Sequence, residues 1–506
     1  MTEVDTFRKK GLRLTEDIDE IFQKNFYPGP PEKNRHHMFA VHQFDKAHAV
    51  MLYEQGLITK DVATKILQSL LEMEKNGVEK VRLDLGGSTH TGELYITKKF
   101  GEDIGGRLHI GRSSGDLDAV SRTMTLREKI ITIMEENVNL RKALLDLAEK
   151  HVDTILPTYS FHQPAQVTTF AHYLISWVFA AERDFQRLSE LYKRVNVSPA
   201  GAAIGTGSDF PLNRERVAEL LGYDSVSKNT RDAIFNFDTM LEAASVFAII
   251  GNNLARLAED LELMTTAEFN MISIADRYCT TSSIMPQKKN PKSLECIRGI
   301  GGLSIGHLTA AFSITKTASD TIEPHELVPW ELWTAIDDLL VGIKIMRGII
   351  STLKVNKESM SENVKKTWVL ASDLAGTIVK EKGLPFRTAH RIVAIMVRKA
   401  IEEGIKPQEI TSEILDRAAL ECIGQPLKIS QKTLKNTMDP WEAVKRRKMT
   451  GAPAPEEVIK QIEDSKNELK KNEELITTLK NRIRESERKL TEAINNIVRP
   501  LEVARD

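Results

Sequence analysis

The chain has 506 residues, with 70 Lys+Arg against 71 Asp+Glu, a formal net charge of −1. So even a balance supplies no bulk field for nucleic acid or an anionic membrane, and any attraction for an anionic ligand must be local. Its three cysteines, Cys279, Cys296 and Cys422, are too scattered for a disulfide framework or a zinc pattern and fit a reducing compartment.

In chain order, the stretch from Met1 to Lys10 lacks the apolar run of a signal peptide. No apolar run reaches the roughly 18 residues that a membrane span needs. The expectation is a cytoplasmic protein with no membrane or nucleic-acid partner. Long helices are predicted from Leu117 to Val152 and from Thr168 to Arg194, with a loop from Leu156 to Pro164 between them. Ser198 to Ser208 is rich in glycine, but it has no Gly-Lys-Ser/Thr ending and no preceding strand. It reads as helix–helix turns, not as a phosphate loop.

The clearest helix spans Thr239 to Met264. Met240, Phe247, Leu254 and Leu261 recur every seven residues, with Ala243, Ile250 and Leu257 three places after the first three. That seam packs helices at a shallow angle, and the further apolar positions Val246, Ala248 and Ile249 call for neighbours on several sides. A bundle results, completed by other subunits. After Gly451-Ala-Pro-Ala-Pro455 comes a charged segment to about Val498. Ile462, Leu469, Ile476, Ile483, Leu490 and Ile497 form one stripe in it, with weak companions at Ser465, Asn472, Leu479, Ser486 and Ala493. This is a solvated helix docked on its own protein or on a sister subunit, in preference to a free-standing coiled coil. The expected fold is all-α, with an N-terminal helical domain (1–110), a central bundle (111–360), a C-terminal helical domain (361–455) and a charged extension (456–506).

The chemistry concentrates in residues 280–292, Thr-Thr-Ser-Ser-Ile-Met-Pro-Gln-Lys-Lys-Asn-Pro-Lys. Two prolines keep this segment irregular, so its backbone N–H groups can point at a ligand. Free N–H groups beside cations suit a carboxylate. The residues alone equally allow an ordinary basic surface loop.

Ser282-Ser-Ile-Met-Pro-Gln-Lys-Lys-Asn-Pro291 resembles the hallmark loop of the aspartase/fumarase superfamily nearly letter for letter, in the form of the argininosuccinate lyase branch. The likeness extends to Gly105–Ser113, to Tyr159–His172, to Phe210–Tyr223, to Asp373–His390 and to Gly451–Pro455. It implies three helical domains and a homotetramer whose active sites are each shared by three chains. It implies β-elimination from a substituted succinate, with C–N cleavage releasing fumarate, and no cofactor or metal. By the same resemblance Ser282 is the general base. Lys288, Asn290 and Ser283 hold a carboxylate. Arg112, Ser113, Ser160 and Gln163 contact substrate, and Glu295 supports a histidine. Ungapped alignment places Ser160 and Phe161 on the family's Thr-His pair; a one-residue shift places His162 on that histidine.

The chain departs from the family where the arginine portion would be gripped. Arg112-Ser-Ser-Gly-Asp116 replaces Arg-Ser-Arg-Asn-Asp, Phe237 replaces an arginine, and the family's Tyr-Asn-x-Asp-x-Gln-x-x-Lys stretch has no counterpart near Thr321–Pro329. Losing polar contacts shifts discrimination by orders of magnitude. The expected substrate is therefore another β-substituted succinate. A lyase for a different bond or acid, a non-catalytic homologue such as the crystallins recruited from this family, and a scaffold that uses the charged helix remain the alternatives.

Overall fold

The computed structural model describes residues 13–26 and 34–499, apart from the side chains at 323 and 326. The stretch from Met1 to Lys10, read above for targeting, lies outside them. Among the described residues no helix is long and apolar enough to cross a membrane.

The N-terminal region is built on α1 (Met38–Glu54), α2 (Lys60–Asn76) and α3 (Thr91–Phe100). The Thr59 hydroxyl caps α2 by accepting from Val62 N. Helix α4 (Ser114–Glu149) follows, opened by a reciprocal capping box between Ser113 and Asp116. At 1.5 Å per residue its 36 residues span about 54 Å, a length that decides where the parts of the site lie.

The expected loop at 156–164 is instead a hairpin of β1 (Ile155–Ser160) and β2 (Gln163–Thr169), paired from Ile155↔Thr169 to Ser160↔Gln163. Its register slips between Pro157 and Tyr159, next to a proline that cannot donate to the ladder. Proline content suggested a loop, but an irregular ladder tolerates it.

The bundle continues with α5 (Phe170–Val195) and α6 (Asp238–Thr265). Every seam residue from Met240 to Leu261 is buried on α6. Strands β3 (Thr280–Thr281) and β4 (Lys289–Asn290) lead into α7 (Lys292–Thr315), and α8 (Glu323–Thr352) completes the layer. Helices α6 and α7 cross through glycines. A Cβ on Gly301 would stand 2.8 Å from Gly251 O, and one on Gly251 would stand 2.7 Å from Ser304 Oγ. Backbones this close leave no room for side chains.

The charged segment is a single helix, α9 (Pro455–Val498), with proline in its first turn. It lies antiparallel on α4 of its own chain. Lys466 pairs with Glu149, Lys142 with Glu473 and Lys480 with Glu135, one sequence falling as the other rises. Ile462, Leu469, Ile476 and Ile497 are buried, and so are the polar companions Ser465, Asn472 and Ser486. Asn472 explains one of them: its Oδ1 accepts from buried Arg141 Nη1 at 2.6 Å. The far end of α9 shares a core with α1, α2 and the start of α4, among them Phe44, Ile66, Leu117, Leu490 and Ile497. The central core joins Leu126, Phe170, Phe247 and Trp333, and a separate C-terminal core joins Leu374, Ile392 and Leu415.

Candidate active site

The two-residue ladder of β3 and β4 closes the segment 282–288 into a loop. At its base, Ser282 Oγ accepts from the backbone N–H groups of Ile284 (3.3 Å) and Met285 (3.0 Å). Lys288 N donates to Met285 O at 3.1 Å and tightens the turn. Ser283 and Lys288 are exposed, Asn290 is half-buried, and Ile284 is 84% exposed. Lys289 is held by Ile274 O and the exposed Asp276 carboxylate, at 2.6 and 2.7 Å. Lys288 is outside that pairing and stays available to a ligand. Glu295, in the first turn of α7, is exposed and accepts from Lys292 at 3.3 Å. Among the described residues this lysine is its hydrogen-bond partner.

Phe161 and His162 are the two central residues of the β1–β2 turn, at φ 53° and 57°. Two positive φ values make this the turn type that matches strand twist, normally served by Asn-Gly. Phe161 is 96% exposed. His162 borders a cleft of about 570 Å³, with Tyr159, Tyr173, Asp260 and Phe269. Tyr173 donates to Asp260 Oδ2 at 3.0 Å, and burial raises the Asp260 carboxyl despite that bond. Ser160 and Gln163 flank the turn and are exposed.

Arg112 and Ser113 both have partners within the chain. The Arg112 side chain is buried and forms an ion pair with Asp45, its Nη1 lying 2.8 Å from Oδ1. Asp45 is buried too and also takes Arg82 Nη2 at 2.5 Å. The Ser113 hydroxyl accepts from Gly115 N as the cap of α4. Both residues therefore hold the block in place in this chain. A cap in front of an acidic third residue was legible in the sequence; the Asp45 pairing was not, because 67 residues separate the partners.

Two departures from the family pattern have a visible cause. A Cβ at Gly115 would stand 3.0 Å from both Ala203 O and Ile204 Cδ1, so the glycine-rich loop occupies the space of a larger residue. Ala203 N anchors that loop on Asp116 Oδ1 at 2.9 Å. Phe237 meets the His325 ring edge-on at 5.0 Å, with the Arg122 guanidinium 4.8 Å above its own ring. Arg122 also donates to His325 Nδ1 at 2.9 Å. Burial, with Arg122 beside it, pushes His325 down to about 3, so it is neutral and accepts. Arg122 and His325 lie 203 positions apart, beyond any local spacing.

The hairpin and the hallmark loop share one end of the bundle. The Tyr159 ring packs on Phe269 at 5.7 Å, a few residues before the Ile274 carbonyl that Lys289 holds. The Arg112–Asp116 block caps the opposite end of α4, about 54 Å away. One chain therefore does not gather these parts into one pocket.

The general family model described as "Lyase" matches residues 32–306, and the model "Argininosuccinate lyase C-terminal" matches residues 368–445. The chain belongs to the aspartase/fumarase superfamily and is argininosuccinate lyase-like. Argininosuccinate lyase of Methanocaldococcus jannaschii is 42% identical over 83% of this chain and 86% of its own length. The Methanosarcina acetivorans enzyme is 39% identical over 89% and 91%. Among solved structures, EDDS lyase in complex with formate superposes with a TM-score of 0.85 at 30% identity, covering 98% of this chain and 99% of that one. An EDDS lyase variant with bound fumarate gives the same TM-score at the same identity over 96% and 97%. The class II fumarase of Schistosoma mansoni, at 15% identity and a TM-score of 0.70 over 81% and 90%, shares the fold. This argininosuccinate lyase-like chain is a carbon–nitrogen lyase, and the all-α fold expected of it is the one observed.

Proposed function

We propose that the protein removes an amine from an N-substituted succinate and releases fumarate, with Ser282 as the base. Ser282 takes the proton from the carbon next to one carboxylate. The electron pair left on carbon delocalises into that carboxylate as a dianion. The C–N bond then breaks with its pair going to nitrogen, a proton is delivered to that nitrogen, and fumarate departs.

The observation that carries this reading is the pair of backbone N–H groups on Ser282 Oγ. A serine hydroxyl is a poor base unless its oxyanion is stabilised, and hydrogen bonds to the charged form do that. Lys288, Ser283 and Asn290 sit on the same short loop as donors for the dianion, where preorganised charge lowers the barrier most. His162, at the tip of its hairpin with Ser160 and Gln163 beside it, is the donor to the leaving nitrogen; Glu295 supports it from another copy.

Three chains of a homotetramer complete each site in this reading. The 54 Å separation supports it, and so does the outer face of α7. Leu303, Ile305 and Phe312 are about half exposed there, and Gly299, Gly302 and Gly306 have open space where a Cβ would be. Such a face suits a second helix of another copy. The packing of Gly115 and Phe237 favours a leaving amine other than arginine. The charge balance and the cysteine content favour a cytoplasmic setting.

The test is the reverse reaction, with fumarate and a panel of amines and amino acids that includes arginine, read by mass spectrometry. An adduct that vanishes in Ser282→Ala supports the chemistry and names the leaving group. Arginine as the reactive partner would overturn the substrate part. No adduct with any amine would overturn the reaction.

A further inference from the structure

His90, Glu93 and His109 meet between α3 and the turn that precedes α4. Each offers one ligand atom, and the three atoms all lie within 4.8 Å of one another. Glu93 Oε2 is 3.3 Å from His109 Nδ1 and 3.9 Å from His90 Nδ1. His90 is the residue just before the first turn of α3 and Glu93 lies in that turn, three positions on. The rings of His90 and His109 lie 5.2 Å apart.

We infer that these three side chains form a binding site for a divalent transition-metal ion of the zinc or cobalt type. Four features argue for it. First, two imidazoles and one carboxylate are the donor set that such ions prefer. Second, donors bound at about 2.0–2.1 Å in a tetrahedron sit about 3.3 Å apart. The Glu93–His109 distance has that value, and the Glu93–His90 distance needs only a small contraction.

Third, the ligand atoms are sheltered while the site keeps an opening. Glu93 Oε2 and His109 Nδ1 are buried, and neither makes a hydrogen bond of good geometry despite facing each other. The His109 side chain is still 36% exposed, which gives an ion a way in and leaves a place for water.

Fourth, the outer contact is in place. His90 Nε2 lies 2.8 Å from Ser114 Oγ. With Nε2–H donating to that hydroxyl, the lone pair is on Nδ1, toward the centre of the cluster; metal-bound histidines are usually oriented this way. Ser114 opens α4, so an ion here would tie α3 to the N-terminus of α4. The site lies outside the hallmark loop and the hairpin, and the inference does not depend on the elimination reaction.

The probe is cobalt(II) chloride added to the full-length protein after treatment with a chelator. Binding is read from visible d–d absorption, from metal content per chain after gel filtration, and from the melting midpoint. One Co²⁺ per chain is expected, with a raised melting midpoint. Ser114→Ala should weaken binding by about 10–100-fold. Glu93→Gln and His109→Asn should weaken it further, and Ser282→Ala should bind as the unaltered protein does. His109→Asn keeps a test available if Glu93→Gln fails to fold, since His109 is partly exposed. No cobalt band and no melting shift would overturn the site. So would a band of undiminished intensity in both ligand variants, which would place the ion elsewhere.

Discussion

Arg112 Nη1 forms an ion pair with Asp45 Oδ1 at 2.8 Å in a setting where the side chains of both are essentially dry. Arg82 holds the other oxygen of the same carboxylate at 2.5 Å. One buried anion thus joins α1 to the segment just before α4. Asp45→Ala strands two buried guanidinium groups, and breaking such a pair typically costs about 3–5 kcal/mol. A urea melt should show a loss of that order; a loss under 1 kcal/mol would mean that water or another acid replaces Asp45.

Ser282→Ala should lower kcat by at least about 10²–10⁴-fold. Its exposed loop should leave the melting midpoint almost unchanged. Steady-state rates beside a thermal melt separate the two effects. A variant that melts early and is slow in proportion would point to a structural serine.

Phe161 and His162 occupy a conformation that disfavours ordinary side chains. Phe161→Asn should raise stability by up to about 1 kcal/mol, because Asn tolerates positive φ, and should leave kcat near its original value. His162→Asn should keep the turn and lose most of the rate. If Phe161→Asn is the variant that loses the rate, the assignment of His162 is wrong.

Acid should destabilise the N-terminal region. Burial opposes the charge of Asp45, yet Arg112 and Arg82 pull its carboxyl below the usual range. Burial likewise opposes Glu74, and hydrogen bonds from His42 and Lys46 hold it at about 2. Both folded values are depressed, so the stabilisation is present above the ordinary carboxylate range and is lost as pH falls toward about 2. Melting midpoints across pH 2–5 should fall steeply, and Glu74→Gln should flatten the slope.

Asp116 acts in the opposite sense. Burial raises it from 3.8 to about 7, against hydrogen bonds from Ser113, Ala203 and Ala202. Its contribution is complete below the unfolded value and declines as pH rises toward 7. Asp116→Asn should remove that decline between pH 4 and 7. An unchanged slope in this variant would assign the titration to another group.

Asn472→Leu should cost about 1–3 kcal/mol, because it removes the acceptor from buried Arg141. Chemical denaturation measures this directly. A neutral result would mean that Glu182, 3.1 Å from Arg141 Nη2, suffices alone.

Much of the architecture was legible in local pattern. The seven-residue recurrence from Met240 to Leu261 placed α6 to within a residue, since a buried stripe must repeat with the helix. The stripe from Ile462 to Ile497 foretold α9, and its weak polar companions foretold a docked helix rather than a symmetric coil. The hallmark loop was readable because its residues are contiguous. What the sequence by itself determined is therefore what depends on neighbours along the chain: helical period, caps and the serine–lysine–asparagine loop. Tertiary structure alone decided the rest. It turned Arg112 inward onto Asp45, filled the space beside Gly115 with Ile204, and set the Arg112 block about 54 Å from the hairpin. It also brought His90, Glu93 and His109 together. The physical reason is common to all four. Burial and pairing energies depend on which distant segments share a core, and no short-range pattern along the chain encodes that.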